Sequence, residues 1–256
     1  MESTYNLSGA KKGLVAGMNN GSEFRFGGAE DLGNGLKAEF NYAFVGNHST
    51  GAALTNYNSF VGLSGEFGSV KIGNLFTPLA LATWGNDAMG GAATSGNLAN
   101  GSGTQPVNTL TYSSPSIAGI SLSVQGNTET SKSTGYSLTY AAGPFSASYA
   151  SNTTGTDKAI NGIGASYDFG MAKLFLSSLT GGGAADATGF GVSVPVGAAT
   201  LIASSSSQGA GVSDYTLVAK YNLSKRTVAY VQNRVTDATK AGAAATTNSV
   251  GIQHAF

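Results

Sequence analysis

Bond-making chemistry would have to come from a small set of side chains. The chain has two histidines, His48 and His254, and no cysteine. A hydrolase needs a nucleophile, a base and an acid that orients the base. Serine is abundant, but no Gly-x-Ser-x-Gly occurs; one histidine lies in an apparent loop and the other two residues from the end. A metal site needs clustered ligands, and acidic residues gather only at Glu30-Asp31, which reads better as turn capping. Gly181-Gly182-Gly183 lacks the lysine and following helix of a phosphate loop. No catalysis, metal or cofactor is expected. Thirteen basic and thirteen acidic residues cancel, so there is no net field to draw nucleic acid.

The same scarcity points to an environment. Only 10% of the 256 residues are charged, whereas a soluble domain carries about a quarter. The longest apolar runs, such as Pro78 to Ala82, fall far short of the ~18 residues a spanning helix needs. Zero cysteines exclude a disulfide framework and a thiolate metal site. Met1-Glu2 reads as a start placed before a mature sequence, with no signal peptide in view.

Hydrophobic residues alternate with period two. In Leu36 to Phe44 the even positions are apolar and the odd ones polar or small, and Val250, Ile252, His254 and Phe256 repeat the pattern. That is the mark of strands with two unlike faces. The one helical candidate is the short Leu79–Asn86 segment. Turn signals centred near residues 33, 67, 117, 143, 169, 196 and 224 cut the chain into eight pieces, each with a polar middle fit for a loop. Two strands per piece predict sixteen strands of about ten residues. One interval is longer than its neighbours by about twenty residues, and the excess lies between Thr77 and Gln105. A long loop of this kind is usually functional or disordered.

Charge placement then chooses between a soluble sandwich and a membrane barrel. Fourteen of the charges sit at turns or loop middles, leaving strand interiors nearly uncharged. A soluble sheet would need charges along its edges; a closed barrel in lipid would not, because every backbone group pairs around the ring. The expected fold is an all-β transmembrane antiparallel barrel of sixteen strands, one domain over residues 1–256, with a sandwich or fibrous sheet as the alternative. A terminal Phe256 in an alternating apolar strand accords with an outer-membrane barrel.

Several segments carry a resemblance. Gly21 to Ala38, Val61 to Gly68, Thr77-Pro78-Leu79, Tyr112-Ser113-Ser114-Pro115, Asn222 to Thr227 and Gly251 to Phe256 together resemble the trimeric porins of Gram-negative bacteria, especially the β-proteobacterial branch. The resemblance implies an outer-membrane location, a homotrimer in contact with lipid and lipopolysaccharide, short periplasmic turns and longer outer loops. It implies a third loop folded into the lumen, here residues 77–105, and a closure or assembly signal at Phe256. It also brings departures. Positions where the family carries wall arginines are here Glu23, Tyr57 and Gln105, the usual first-strand acid is Lys12, and a second-strand glycine is Arg25. An anion-selective arginine ladder is therefore not expected.

If Phe24, Phe26, Phe40 and Tyr42 meet lipid, then Glu23, Arg25, Lys37, Glu39 and Asn41 face the lumen. Lys12 is expected to approach Glu23 and Arg25, and the inserted loop offers Asp87 beside Asn86 and Trp84. The resulting function is a weakly selective channel for passive diffusion of small hydrophilic solutes and ions, with no bond chemistry. Two rivals stay open: an adhesin or scaffold barrel, and a solute-specific channel. Lys11, on the outward parity, and the strand from Thr227 to Val235, where Gln232 and Arg234 share parity with Val228 and Tyr230, do not fit the scheme.

Overall fold

Alternating apolar residues punctuated by turns do become strands. The computed structural model describes residues 1–9, 12–15, 22–47, 49–90, 108–127, 132–155, 157–182, 186–209, 212–238 and 245–256. The first strands are β1 Glu2–Asn6, β2 Gly13–Val15, β3 Ser22–Gly33, β4 Leu36–Gly46, β5 Thr55–Asn56, β6 Ser59–Gly65 and β7 Gly68–Asn74. Helix α1 Pro78–Gly85 follows, then β8 Thr109–Ser113, β9 Ile120–Asn127, β10 Ser133–Ala142, β11 Phe145–Thr154 and β12 Ile160–Asp168. The rest are β13 Lys173–Gly181, β14 Ala187–Val196, β15 Ala199–Gln208, β16 Val212–Asn222, β17 Thr227–Ala238 and β18 Ala245–His254. All eighteen lie in one sheet, with antiparallel pairing from β6 through β18.

The seven expected turn sites all coincide with joins between consecutive strands, the first and sixth centred on the last residues of β3 and β14. At the first, Asn34 (φ 52°) and Gly35 (φ 77°) both take the left-handed conformation that a two-residue hairpin turn requires. The excess over sixteen strands has local causes. β4 pairs with β5 at Phe44↔Asn56 and with β6 at Asn41↔Phe60, and the Tyr57 amide donates to the Ala43 carbonyl at 2.8 Å. Asn58 and Ser59 thus stand opposite Tyr42 alone. This is a β-bulge in one strand, and it turns Tyr57 and Phe60, three residues apart, onto the same face. The expected first strand is divided as well. β2 folds back on β1 (Thr4↔Val15, Asn6↔Gly13), with Gly9 and Gly13 at positive φ.

The two faces of the sheet differ as the period of two demands. Phe24 and Phe26 are more than 60% exposed, and Tyr136, Leu138, Ile163 and Leu217 are exposed as well. The opposite face is made of serine, glycine, alanine and amides, and segment 77–90 lies along it. Pro78 sits over Gly135 of β10, Leu79 and Thr83 over Gly162 of β12, and Ala88 over Gly191 of β14. Met89 packs with Ile202, Val218 and Tyr230 of β15, β16 and β17. On a flat sheet β10 and β17 are seven spacings, about 33 Å, apart. A helix of this length plus four extended residues reaches only about 24 Å. The sheet therefore curves around the segment, and the small-residue face is the inside.

The chain ends meet. β1 pairs with β18 from Glu2↔Gln253 to Asn6↔Ser249, and the Met1 ammonium donates to the His254 carbonyl at 2.7 Å. Tyr230 of β17 crosses this seam on the inner face. Its ring lies where a side chain on Gly251 would stand, and its hydroxyl donates to Glu2 Oε1 at 2.7 Å and contacts Thr4 Oγ1. Tyr230 is thus an inward residue, which resolves the parity of its strand: Tyr230, Gln232 and Arg234 face in, while Val231 is exposed outside. Lys11 lies outside the described residues.

A Gly251→Val substitution must displace the tyrosine. It should lower stability in detergent micelles by about 1–3 kcal/mol, read as an earlier urea midpoint of Trp84 fluorescence; an unchanged midpoint would mean that Tyr230 does not hold the seam.

Candidate functional site

Helix α1 is set by its own sequence. Thr77 is the N-cap, its Oγ1 accepting from the Ala80 amide at 3.2 Å, and Pro78 opens the first turn, where no amide is needed. The expected Leu79–Asn86 helix is thus present one residue earlier. Its wall-facing side is held by packing and by one amide. Leu79 clusters with Ala150, Leu179 and Ala187. Asn86 Nδ2 donates to Ser148 Oγ at 2.8 Å and to the Ala82 carbonyl at 3.0 Å.

Glycines make room for this contact. A Cβ on Gly164 would stand 2.7 Å from Asn86 Cβ, and one on Gly162 would stand 2.6 Å from Leu79 Cδ1. Gly162 pairs with Ala150 and Leu179, and Gly164 with Ser148 and Ser177, so small residues keep the wall low beneath the segment while Leu179 packs beside Leu79. Alternate glycines within a strand mark close approach by another backbone. Gly162-x-Gly164 and Gly189-x-Gly191 were readable as that signal in the sequence.

On the other side of the lumen the expected residues fall as follows. Glu23 and Arg25 both project inward from β3 and pair with each other: Arg25 Nη2 donates to Glu23 Oε1 at 2.6 Å and Nε to the same oxygen at 2.9 Å. Lys37 is exposed on β4 opposite Asp31. Glu39 accepts from Lys71 Nζ of β7 at 3.3 Å, across Gly62, whose lack of a side chain lets the lysine stem lie over it. The same ammonium sits 4.3 Å above the Phe60 ring. Lys71 was not expected, although its alternation with Val70 and Ile72 marks it as inward.

Lys12 corrects an expectation. It is exposed just before β2, beside the Asn6 end of β1, whereas the start of β3 lies at the other end, where the Glu2 amide donates to Ser22 Oγ. Among the described residues Lys12 makes no ion pair with Glu23 or Arg25, so the mixed-sign patch is built by those two alone. Tyr57 meets Phe76 edge to face at 5.0 Å, and Phe76 meets Trp84 at 4.8 Å. Asp87 follows α1, its amide donating to the Trp84 carbonyl at 3.3 Å. Gln105 and His48 lie outside the described residues. His254 Nδ1 bonds Thr227 Oγ1 at 2.9 Å. Phe256 is 91% exposed, edge-on to His254, beside a cavity of about 560 Å³ that Phe24, Arg25 and Arg226 also line.

A further charged cluster stands on β16 and β17. Asp214, near the start of β16, is buried on the inner face and holds Arg234 of β17 at 3.1 Å and the Thr236 hydroxyl at 2.6 Å. It explains why Arg234 shares parity with Tyr230.

A curved sheet that is aromatic and aliphatic outside, polar inside and crossed by an inserted segment defines an antiparallel membrane β-barrel. The chain belongs to the Gram-negative porin family, whose sequence profile matches residues 2–241, and it is thus an outer-membrane protein. It is similar to the major outer membrane protein P.IB of Neisseria gonorrhoeae, 39% identical over 112 residues, covering 41% of this chain and 32% of that protein. The Neisseria lactamica counterpart is 38% identical over 113 residues, covering 41% and 33%. These matches span about a third of the length of the curated relatives. In fold it resembles an anion-selective porin from Comamonas acidovorans, with TM-score 0.81 and 24% identity over 100% of this chain and 96% of that one. A triple mutant of Rhodopseudomonas blastica porin gives TM-score 0.77 at 17% identity, covering 100% and 96%.

A Gly164→Val substitution should push Asn86 off Ser148 and weaken the seat of the inserted segment by about 1–3 kcal/mol. The expected readout is a larger or flickering single-channel conductance in planar bilayers; a conductance trace like that of the parent would show that the segment is held elsewhere.

Proposed function

We propose that this protein is a water-filled channel for passive diffusion of small hydrophilic solutes and ions, with weak charge selectivity and no catalytic activity. The observation that carries the reading is the division of the sheet into a greasy outer face and a hydroxyl- and amide-bearing inner one. A polar group stranded in hydrocarbon costs several kcal/mol, and a wet tunnel through ~30 Å of it removes that barrier. Segment 77–105 narrows the tunnel, with Asp87 and Gln105 contributed from it. Glu23, Arg25, Lys37, Glu39 and Tyr57 line the facing wall, with Lys12 toward a rim. Homotrimeric assembly among lipid and lipopolysaccharide, with Phe256 as the assembly signal, completes the reading.

Weak selectivity follows from pairing. Arg25 stands on Glu23, Lys71 on Glu39 and Arg234 on Asp214. Closely paired charges nearly cancel for a simple ion while still presenting a local dipole. The Comamonas neighbour is named anion-selective; the acid beside each of these three cations argues for a smaller preference here.

Reversal potentials under a tenfold KCl gradient should lie well inside the ideal limits of about 59 mV. Lys71→Glu should move the potential toward cation preference, because it leaves two acids on one wall. A parent potential near either limit would exclude the weakly selective reading. Liposome swelling with graded sugars separates a channel from a scaffold, since a scaffold admits none.

A further inference from the structure

The inner wall contains one strip that a channel for simple hydrophilic solutes does not need. Tyr57, Phe76 and Trp84 form a chain of rings whose successive planes cross at 80° and 77°. Leu81, three residues before Trp84 on α1, is 55% exposed and extends the apolar strip on the side turned away from the wall. Seating of the helix does not call for these groups, because Leu79, Thr83 and Asn86 make that contact. The Trp84 Nε1 donor is buried and has no acceptor among the described residues. A buried donor without a partner is unfavourable by about 1–3 kcal/mol, so the indole is held there for its ring.

Charge of both signs stands at one end of the strip. Arg25 is paired in register with Ala43, and Ala43 with Tyr57, so Arg25 and Tyr57 are two strand spacings, about 10 Å, apart. Glu23 and Arg25 both act electrostatically on the Tyr57 hydroxyl. Both hydrogen bonds within the pair use Glu23 Oε1, which leaves Glu23 Oε2 and Arg25 Nη1 without hydrogen bonds among the described residues. The guanidinium is more than half exposed.

We propose that this strip is a lumenal binding subsite for aromatic zwitterions of the α-amino acid class. The ligand ring lies on the Tyr57–Phe76–Trp84 strip, its carboxylate meets Arg25 Nη1, and its ammonium meets Glu23 Oε2. The charge count selects the class. An aromatic acid without an ammonium meets the unrelieved repulsion of Glu23, and a small zwitterion without a ring leaves the apolar strip uncovered. A carboxylate on an arginine edge is a directional, charge-assisted contact, and ring-on-ring contact adds to area burial.

The inference rests on the channel reading, and one experiment separates the two. In planar bilayers, L-phenylalanine should reduce ion conductance saturably, while alanine and hydrocinnamate should need at least tenfold higher concentration for the same effect. Trp84→Leu and Arg25→Gln should each raise the half-blocking concentration of phenylalanine at least tenfold. If Trp84→Leu fails to insert, Tyr57→Leu provides the same comparison on the wall side. Equal block by alanine, or half-block unmoved by both substitutions, overturns the subsite. Conductance without any block by phenylalanine overturns it alone, and no conductance at all overturns the channel.

Discussion

In hydrocarbon a peptide group has no water to bond, and each one left unpaired costs several kcal/mol. Much of this structure is consistent with that constraint. Every strand from β3 onward finds an antiparallel neighbour, and the first strand pairs with the last. Long pairings leave side chains only two directions to take, so one face meets acyl chains and the other meets water. Tyr230, lying over Gly251 to reach Glu2, adds a side-chain bond across the seam where the chain ends meet.

The inner face is shaped as well as polar. Gly135, Gly162, Gly164 and Gly191 lie beneath segment 77–90, and Ser148 holds it through Asn86. Close-packed contacts lose their attraction over a gap of less than an ångström, so a wall of small residues gives the segment a defined path. Of the apolar residues that face inward, Phe175, Leu179, Ile202 and Val218 are buried on this wall, three of them in the clusters packed against the segment. Glu23–Arg25 and Glu39–Lys71 stand in pairs on β3, β4 and β7, and a bulge at Asn58-Ser59 brings Tyr57 and Phe60 together onto the lumenal side.

Much of this was legible in the residues. All seven tight turns follow from Gly, Asn, Pro and Asp clusters, because a chain reversal needs specific backbone angles that few residues adopt. The lumenal parity of Glu23, Arg25 and Glu39 follows from Phe24, Phe26 and Phe40. The division of the first strand was not legible, because alternation continues through Ser8 and Gly9 while the backbone turns. Nor was the inward face of Tyr230, because a tyrosine has both an apolar ring and a polar tip and suits either side.

The sequence by itself determined the period, the turns and the chemical contrast between faces, since these depend on residues near one another along the chain. Only the tertiary structure decided which charges pair and what the glycines are for. Glu39 finds Lys71 thirty-two residues on, Asp214 finds Arg234, and Gly164 accepts Asn86 from a segment inserted across the barrel. Such partners are set by strand register and by the curvature of the whole sheet, and neither quantity is carried by any one stretch of chain.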